Sequence, residues 1–164
     1  MPDARVRDGQ REFRGRANSG HTQHAEEQTM TGPTSRIAPC LWFDDQAEAS
    51  AAFYCACLPE TTVTAVSRYP LGFDNPGGKP RGSVLTVEMD AAGTPFTALN
   101  GGPHFRPDPS ISFFVHTKGA AETDRVARAL ADGGSYLMDL DSYPWSARYA
   151  WVQDRYGVSW QVML

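Results

Sequence analysis

No run in this chain approaches the ~18–20 consecutive apolar residues of a bilayer-spanning helix, and none is expected to cross a membrane. An excess of either charge is also missing. Fifteen Lys and Arg stand against 19 Asp and Glu, a formal net charge of -4. That balance offers no electrostatic footprint for nucleic acid or an anionic membrane. Cysteine is scarce: Cys40, Cys55 and Cys57. An odd, small number argues against a disulfide framework, Cys55-Ala-Cys57 lacks the C-x-x-C spacing, and no second pair completes a tetrahedral zinc site. The three are expected to be small buried hydrophobes in a reducing compartment. The opening residues lack the apolar core of a secretory signal, so the expected location is cytoplasmic. No G-x-S-x-G elbow, Walker A loop or glycine-rich strand-to-helix turn occurs, which removes the usual marks of serine hydrolases, P-loop enzymes and dinucleotide carriers.

What is present divides at about residue 35. Residues 1–35 carry few aliphatic side chains, many charges and scattered Gly and Ser. Such composition buries too little apolar surface to offset chain entropy, and a disordered tail is expected. His21 and His24 lie in it with H-x-x-H spacing but no scaffold to hold a metal. Either Met1 or Met30 can serve as the translation start.

From Arg36 onward a single domain over 36–164 is expected. IAPCLWF (37–43) reads as a strand. Asp45-Gln-Ala-Glu48 has the form of a capping box and opens a helix to about Cys57, with Ala47, Ala51, Tyr54 and Leu58 in one stripe. Strands follow at 61–69, 83–90 and 94–100, the first two separated by the Pro- and Gly-rich loop PLGFDNPGGKPRG. The order then repeats: a strand at 111–117, an amphipathic helix at 121–134 closed by Gly133-Gly134, and strands at 135–141, 147–154 and 159–164.

The last hairpins of the two halves support a duplication. Asp90-Ala-Ala-Gly93-Thr-Pro-Phe96 and Asp154-Arg-Tyr-Gly157-Val-Ser-Trp160 share a turn Asp, a Gly suited to positive φ and an aromatic entering the next strand. The fold class expected is α+β, two tandem βαβββ modules over about 37–102 and 110–164.

The segments IAPCLWFDDQAEASAAFY, GSVLTVEM, GTPFTALNGGPHF, SISFFV and DRYGVSWQVML resemble the vicinal oxygen chelate superfamily of glyoxalase I, extradiol dioxygenases and bleomycin-resistance proteins. Within it the chain is most similar to the PhnB-like, demethylubiquinone methyltransferase-like branch. The resemblance implies sheets curled into a half-barrel cup with helices outside, and a homodimer whose second subunit completes or covers the cup. It also implies a divalent metal held by His and Glu at the first and last strand of each module. Those positions map to Pro39, Thr97, Ser110 (or Ser112) and Gln161, none a good ligand for a divalent ion. No metal and no cofactor are therefore expected, with His104 or His116 the residues left for a non-standard site.

Strand alternation adds a set of candidate ligand-binding residues: Leu41, Phe43, Thr97, Leu99, Ser112, Phe114, Gln161 and Met163 on the cup face, with His104 at the rim. Phe96, Phe113, Val115, Trp160 and Val162 have the opposite parity and should pack against helices. A mostly apolar wall with a few polar groups suits a small-molecule ligand. Tyr143, Trp145, Tyr149 and Trp151 fit a pocket rim, a subunit contact or core filling. His116 reads as an edge histidine, and Asp139 and Asp141 as solvated charge. The expected function is binding of a small, partly apolar metabolite. The alternatives are an enzyme with an atypical site and the methyltransferase that the branch label implies. No catalytic residue is assigned.

Overall fold

A computed structural model describes residues 35–72 and 78–164. The expected tail up to residue 34, with His21, His24 and Met30, lies outside the described residues, as does the middle of the loop after the second strand, residues 73–77.

The first module runs β1 (Cys40–Phe43), α1 (Ala47–Cys57), β2 (Thr61–Arg68), β3 (Val84–Ala91) and β4 (Thr94–Asn100). The second repeats it as β5 (Ser112–His116), α2 (Ala120–Ala131), β6 (Ser135–Tyr143), β7 (Ser146–Gln153) and β8 (Ser159–Met163). Strand order is β1-β4-β3-β2 in sheet 1 and β5-β8-β7-β6 in sheet 2. In both, the first strand lies parallel to the last and the other pairs are antiparallel. The duplicated α+β architecture is the expected one. No described helix is long and apolar enough to cross a membrane.

One apolar core serves both modules. Leu41, Phe43, Val87, Met89, Phe96 and Ala98 of sheet 1 join Val152, Trp160 and Val162 of sheet 2, with Tyr54 of α1 and Val126 and Leu130 of α2 between them. Phe96 lies 5.0 Å from Phe113 and Tyr54 lies 5.1 Å from Trp160, ring centroid to ring centroid. The parity expected for Phe96, Phe113, Val115, Trp160 and Val162 is the observed one. Each sheet therefore spends one face on this shared core and leaves the other open. Strands β1 and β5 are edge strands of separate sheets.

Both D-x-x-G turns take the expected shape, with Gly93 at φ +85° and Gly157 at φ +86°. Their aspartates differ. Asp90 Oδ1 accepts from Gly93 N at 2.7 Å near the surface. Asp154 is buried: Oδ1 accepts from Tyr156 N (2.8 Å) and Val158 N (3.0 Å), and Oδ2 from Tyr54 Oη (2.9 Å) and Trp160 Nε1 (2.8 Å). Burial pushes this carboxyl's pKa up, and the four donors pull it back.

The capping box is a correction. No side chain of Asp45 or Glu48 caps α1. Instead Asn100 Oδ1, arriving from the end of β4, accepts from Ala47 N at 2.8 Å, while Asn100 Nδ2 donates to Val84 O at 3.0 Å. A residue distant in sequence thus supplies the acceptor that a helix start needs. Helix α2 does use a carboxylate reaching back, with Lys118 N donating to Glu122 Oε2 at 2.7 Å.

The cysteines also depart from expectation. Cys57 is buried, its thiol pushed up to about 11 chiefly by burial, whereas Cys55 is half-buried and Cys40 is exposed on edge strand β1.

Gly101 follows Asn100 and lies under Trp42, whose Nε1 donates to Gly102 O at 2.9 Å. A Cβ at Gly101 would stand 2.2 Å from the indole. With Trp42 also held edge-on by Phe105 at 5.0 Å, Gly101→Ala should force the ring out and cost about 2 kcal/mol in urea unfolding, in the range of overpacking. A variant as stable as wild type would show that the indole moves freely.

Candidate functional site

The open face of sheet 2 follows from its register. Ser112 pairs with Ser159, Phe114 with Gln161 and His116 with Met163. Across β7, Gln161 faces Trp151 and Met163 faces Tyr149. Paired residues share a face, so Ser112, Phe114, Gln161 and Met163 come together as expected. His116, Tyr149 and Trp151 join them.

At the β8 end of this face lies an open cleft of about 630 Å³, lined by Phe114, His116, Trp145, Tyr149, Gln161 and Met163. Its walls are aromatic. Phe114 and Trp145 are 55% and 56% exposed, and His116 stacks on Phe114 at 6.0 Å. Trp145 stacks on Tyr143 at 5.1 Å, and both rings pack edge-on against Tyr149.

A hydrogen-bonded row runs along this sheet face, from Tyr149 and Gln161 in the cleft lining to Ser112 just outside it. Tyr149 is buried, which pushes its phenol pKa up and keeps it an O–H donor. It donates to Gln161 Oε1 at 2.7 Å, and Gln161 Nε2 donates to Ser112 Oγ at 2.7 Å. Beside it, Trp151 Nε1 donates to Ser159 Oγ at 2.7 Å.

On sheet 1, the open face carries Cys40 and Trp42 of β1 beside Thr97 and Leu99 of β4, and Glu88 of β3 stands next to Thr97. Leu41 and Phe43, expected here, lie instead on the core face, 7% and 3% exposed. The parity of β1 is thus one residue off: Leu41 pairs with Ala98 and Phe43 with Asn100, both buried. The run CLWF holds no polar residue to mark its outer face, so alternation alone could not set it. Thr97 and Leu99 are half-buried, and His104 is exposed on the turn after β4. None of these three lines the sheet 2 cleft. Trp145 and Tyr149 carried an aromatic signal in the sequence, but nothing marked them as neighbours of Gln161.

The four superfamily metal positions can be tested on their donors. Pro39 offers only its carbonyl, which accepts from Thr97 N at 2.9 Å, so the side chain beside Thr97 is Cys40. Ser110 precedes β5, and the β5 hydroxyl bonded to Gln161 is that of Ser112. Gln161 already has both amide atoms engaged. Neutral hydroxyls and an amide do not offset the dehydration of a divalent ion. Among the described residues no three His, Cys, Asp or Glu side chains cluster. The residues present do not fit the superfamily's metal.

A second recess of about 450 Å³ runs between β1 and the 105–111 segment, lined among others by Cys40, Trp42, Phe105, Ser110 and Phe113.

Comparison with known proteins agrees with this architecture. A family model described as 3-demethylubiquinone-9 3-methyltransferase matches residues 35–163. The structure is similar to that of a PhnB protein from Bacillus cereus, with a TM-score of 0.69 and 31% identity over 79% of this chain and 99% of that one. Protein PA1353 from Pseudomonas aeruginosa gives 0.64 and 26%, covering 79% and 97%. A glyoxylase/bleomycin resistance protein/dioxygenase domain from Frankia sp. EAN1pec gives 0.52 and 15%, covering 80% and 91%, a likeness of fold. The comparison with curated proteins gave no match. A matched family model over nearly all of the described residues, joined to a relative aligned along its whole length, decides the assignment: the chain belongs to the 3-demethylubiquinone-9 3-methyltransferase family, the PhnB-like branch of the vicinal oxygen chelate superfamily.

Proposed function

We propose that this protein binds a small, partly apolar molecule over the open face of sheet 2, without the His/Glu metal site of its superfamily, and that a second copy of the chain closes over the ligand. The observation that carries this reading is the cleft itself, where Phe114 and Trp145 stand more than half exposed beside an ordered polar row. Large apolar side chains gathered at one open cleft with a few fixed polar groups are the composition of a ligand wall. The second open face, with Thr97 and Leu99, belongs to the other sheet, so a dimer can bring one protomer's sheet 1 over its partner's sheet 2. His104 then serves at the rim. Three free thiols fit a cytoplasmic protein.

Methyl transfer, as the family description has it, finds little support in the backbone. Gly101 and Gly102 lead from β4 toward β5 and not into a helix, and the β1–α1 turn has no glycine to cradle a cofactor. An enzyme using the cleft's own groups is favoured by one observation, His116 in the wall; it predicts turnover of a bound ligand, lost in His116→Ala.

The test is a titration with 2-acetylnaphthalene, an apolar aromatic ketone, followed by tryptophan fluorescence. Saturable binding is expected, and Phe114→Ala and Trp145→Ala should each weaken it roughly tenfold, the scale of an exposed aromatic anchor. Their unfolding midpoints should stay near wild type because neither ring belongs to the core. Sedimentation should give twice the chain mass. Affinity unchanged in both variants would remove the cleft from the function.

A further inference from the structure

We infer that the Tyr149–Gln161–Ser112 row makes the cleft selective for ligands that present a neutral oxygen acceptor, such as a ketone carbonyl, on an aromatic or apolar body. This deepens the ligand-binding reading above and rests on it.

The protons of this row fix its polarity. Tyr149 is buried and donates its hydroxyl proton to Gln161 Oε1 at 2.7 Å. The acceptor end of the carboxamide is therefore turned toward the buried tyrosine. Its Nε2 carries two protons, one of which goes to Ser112 Oγ at 2.7 Å. The second Nε2 proton is left over. Ser112 accepts through Oγ, which leaves its own O–H proton to donate elsewhere. Two adjacent donors thus remain on a half-buried stretch of the open face, beside the Phe114 ring. Donors fixed by a buried partner are preorganised, and an acceptor placed on them costs no rearrangement of the wall.

Charge decides between a neutral acceptor and a carboxylate. The cleft-lining residues are Phe114, His116, Trp145, Tyr149, Gln161 and Met163, with neither Lys nor Arg among them. Asp141 of β6 pairs with Tyr149 and adds a negative charge to that side. A carboxylate would lose hydration with neither Lys nor Arg to offset it and only the His116 imidazole nearby, whereas a carbonyl loses little. The apolar body has Phe114 and Trp145 to stack on, with Met163 also in the lining.

Three naphthalenes of one shape class test this on the full-length protein at pH 8: 2-acetylnaphthalene, 2-isopropenylnaphthalene (CH₂ in place of the carbonyl oxygen) and 2-naphthoate. The ketone should bind about five- to tenfold more tightly than the alkene, the scale of one hydrogen bond to preorganised donors, and more tightly than the carboxylate. Ser112→Ala should shrink the ketone preference. Tyr149→Phe combined with Gln161→Met, which removes the row without orphaning the phenol, should bring the ratio of ketone to alkene affinity close to one. Equal binding of ketone and alkene by the wild type, or a preference that survives the double substitution, overturns the polarity argument alone and leaves the apolar cleft standing. Tighter binding of the carboxylate overturns the assignment to a neutral acceptor. Binding of none of the three overturns both this inference and the ligand-binding reading beneath it.

Discussion

Asp154→Ala is expected to cost about 4 kcal/mol of folding stability, in the range for stripping the partner from buried donors and charges. A domain of this size is stable by only about 5–15 kcal/mol, so the variant should approach its unfolding midpoint under mild conditions. Four donors lose their acceptor at once: two backbone N–H groups of the β7–β8 turn, the Trp160 indole and the Tyr54 hydroxyl. Tyr54 belongs to α1 of the first module and Trp160 to β8 of the second, so this one carboxylate ties the modules together. Asp154→Asn should not rescue it fully. Whichever way the amide turns, its NH₂ meets a group that can only donate, either backbone N–H or the indole N–H. The matching Asp90→Ala should cost under about 1 kcal/mol, because Asp90 bonds Gly93 N near the surface. Urea unfolding of the three variants checks the contrast. Equal losses at Asp90 and Asp154 would mean that both serve only their turns.

Asn100→Ala is the second large effect, about 3 kcal/mol. The substitution removes the acceptor for Ala47 N and the donor to Val84 O in a site only 6% exposed. Asn100→Asp should recover part of the loss, since it keeps an acceptor for the helix start while setting a carboxylate against the Val84 carbonyl. Asp45→Ala should change stability by no more than about 0.5 kcal/mol, as surface substitutions do. Amide exchange at the first turn of α1 distinguishes the two capping schemes. Faster exchange in the Asn100 variant alone matches the observed geometry, and faster exchange in the Asp45 variant would restore the local capping box.

These two residues mark what could and could not be read in the chain. The βαβββ repeat was legible because its signals are local: Pro and Gly breaks, helical periodicity, and D-x-x-G turns whose glycines must reach positive φ. Both aspartates were visible as turn residues, yet only tertiary packing separates a surface Asx turn from a buried hub. Asn100 sat in a conspicuous Asn-Gly-Gly stretch that reads as a turn, and its side chain caps a helix 53 residues earlier. No local rule points across that distance.

The candidate site was legible where polarity alternated. Ser112 and Gln161 stand among apolar neighbours, so β5 and β8 took the right parity. In β1 the run CLWF gives alternation nothing to work with, and Leu41 and Phe43 lie on the core face instead of the open one. Trp42 is the aromatic that β1 turns to its open side. Tyr149 is legible in the chain as an aromatic but not as the partner of Gln161, because the register of β7 on β8 is a tertiary fact. The family itself was legible from contiguous segments, but the reaction was not, since the positions that carry metal ligands elsewhere hold Thr, Ser and Gln here.

Binding of a partly apolar molecule in the sheet 2 cleft is proposed to need no divalent metal. It is tested most directly by calorimetric titration of 2-acetylnaphthalene into protein purified without chelator, before and after exhaustive dialysis against EDTA. The predicted result is saturable binding with the same affinity in both samples. Binding that vanishes after EDTA and returns with added divalent metal would contradict the account, as would the absence of saturable binding in either sample.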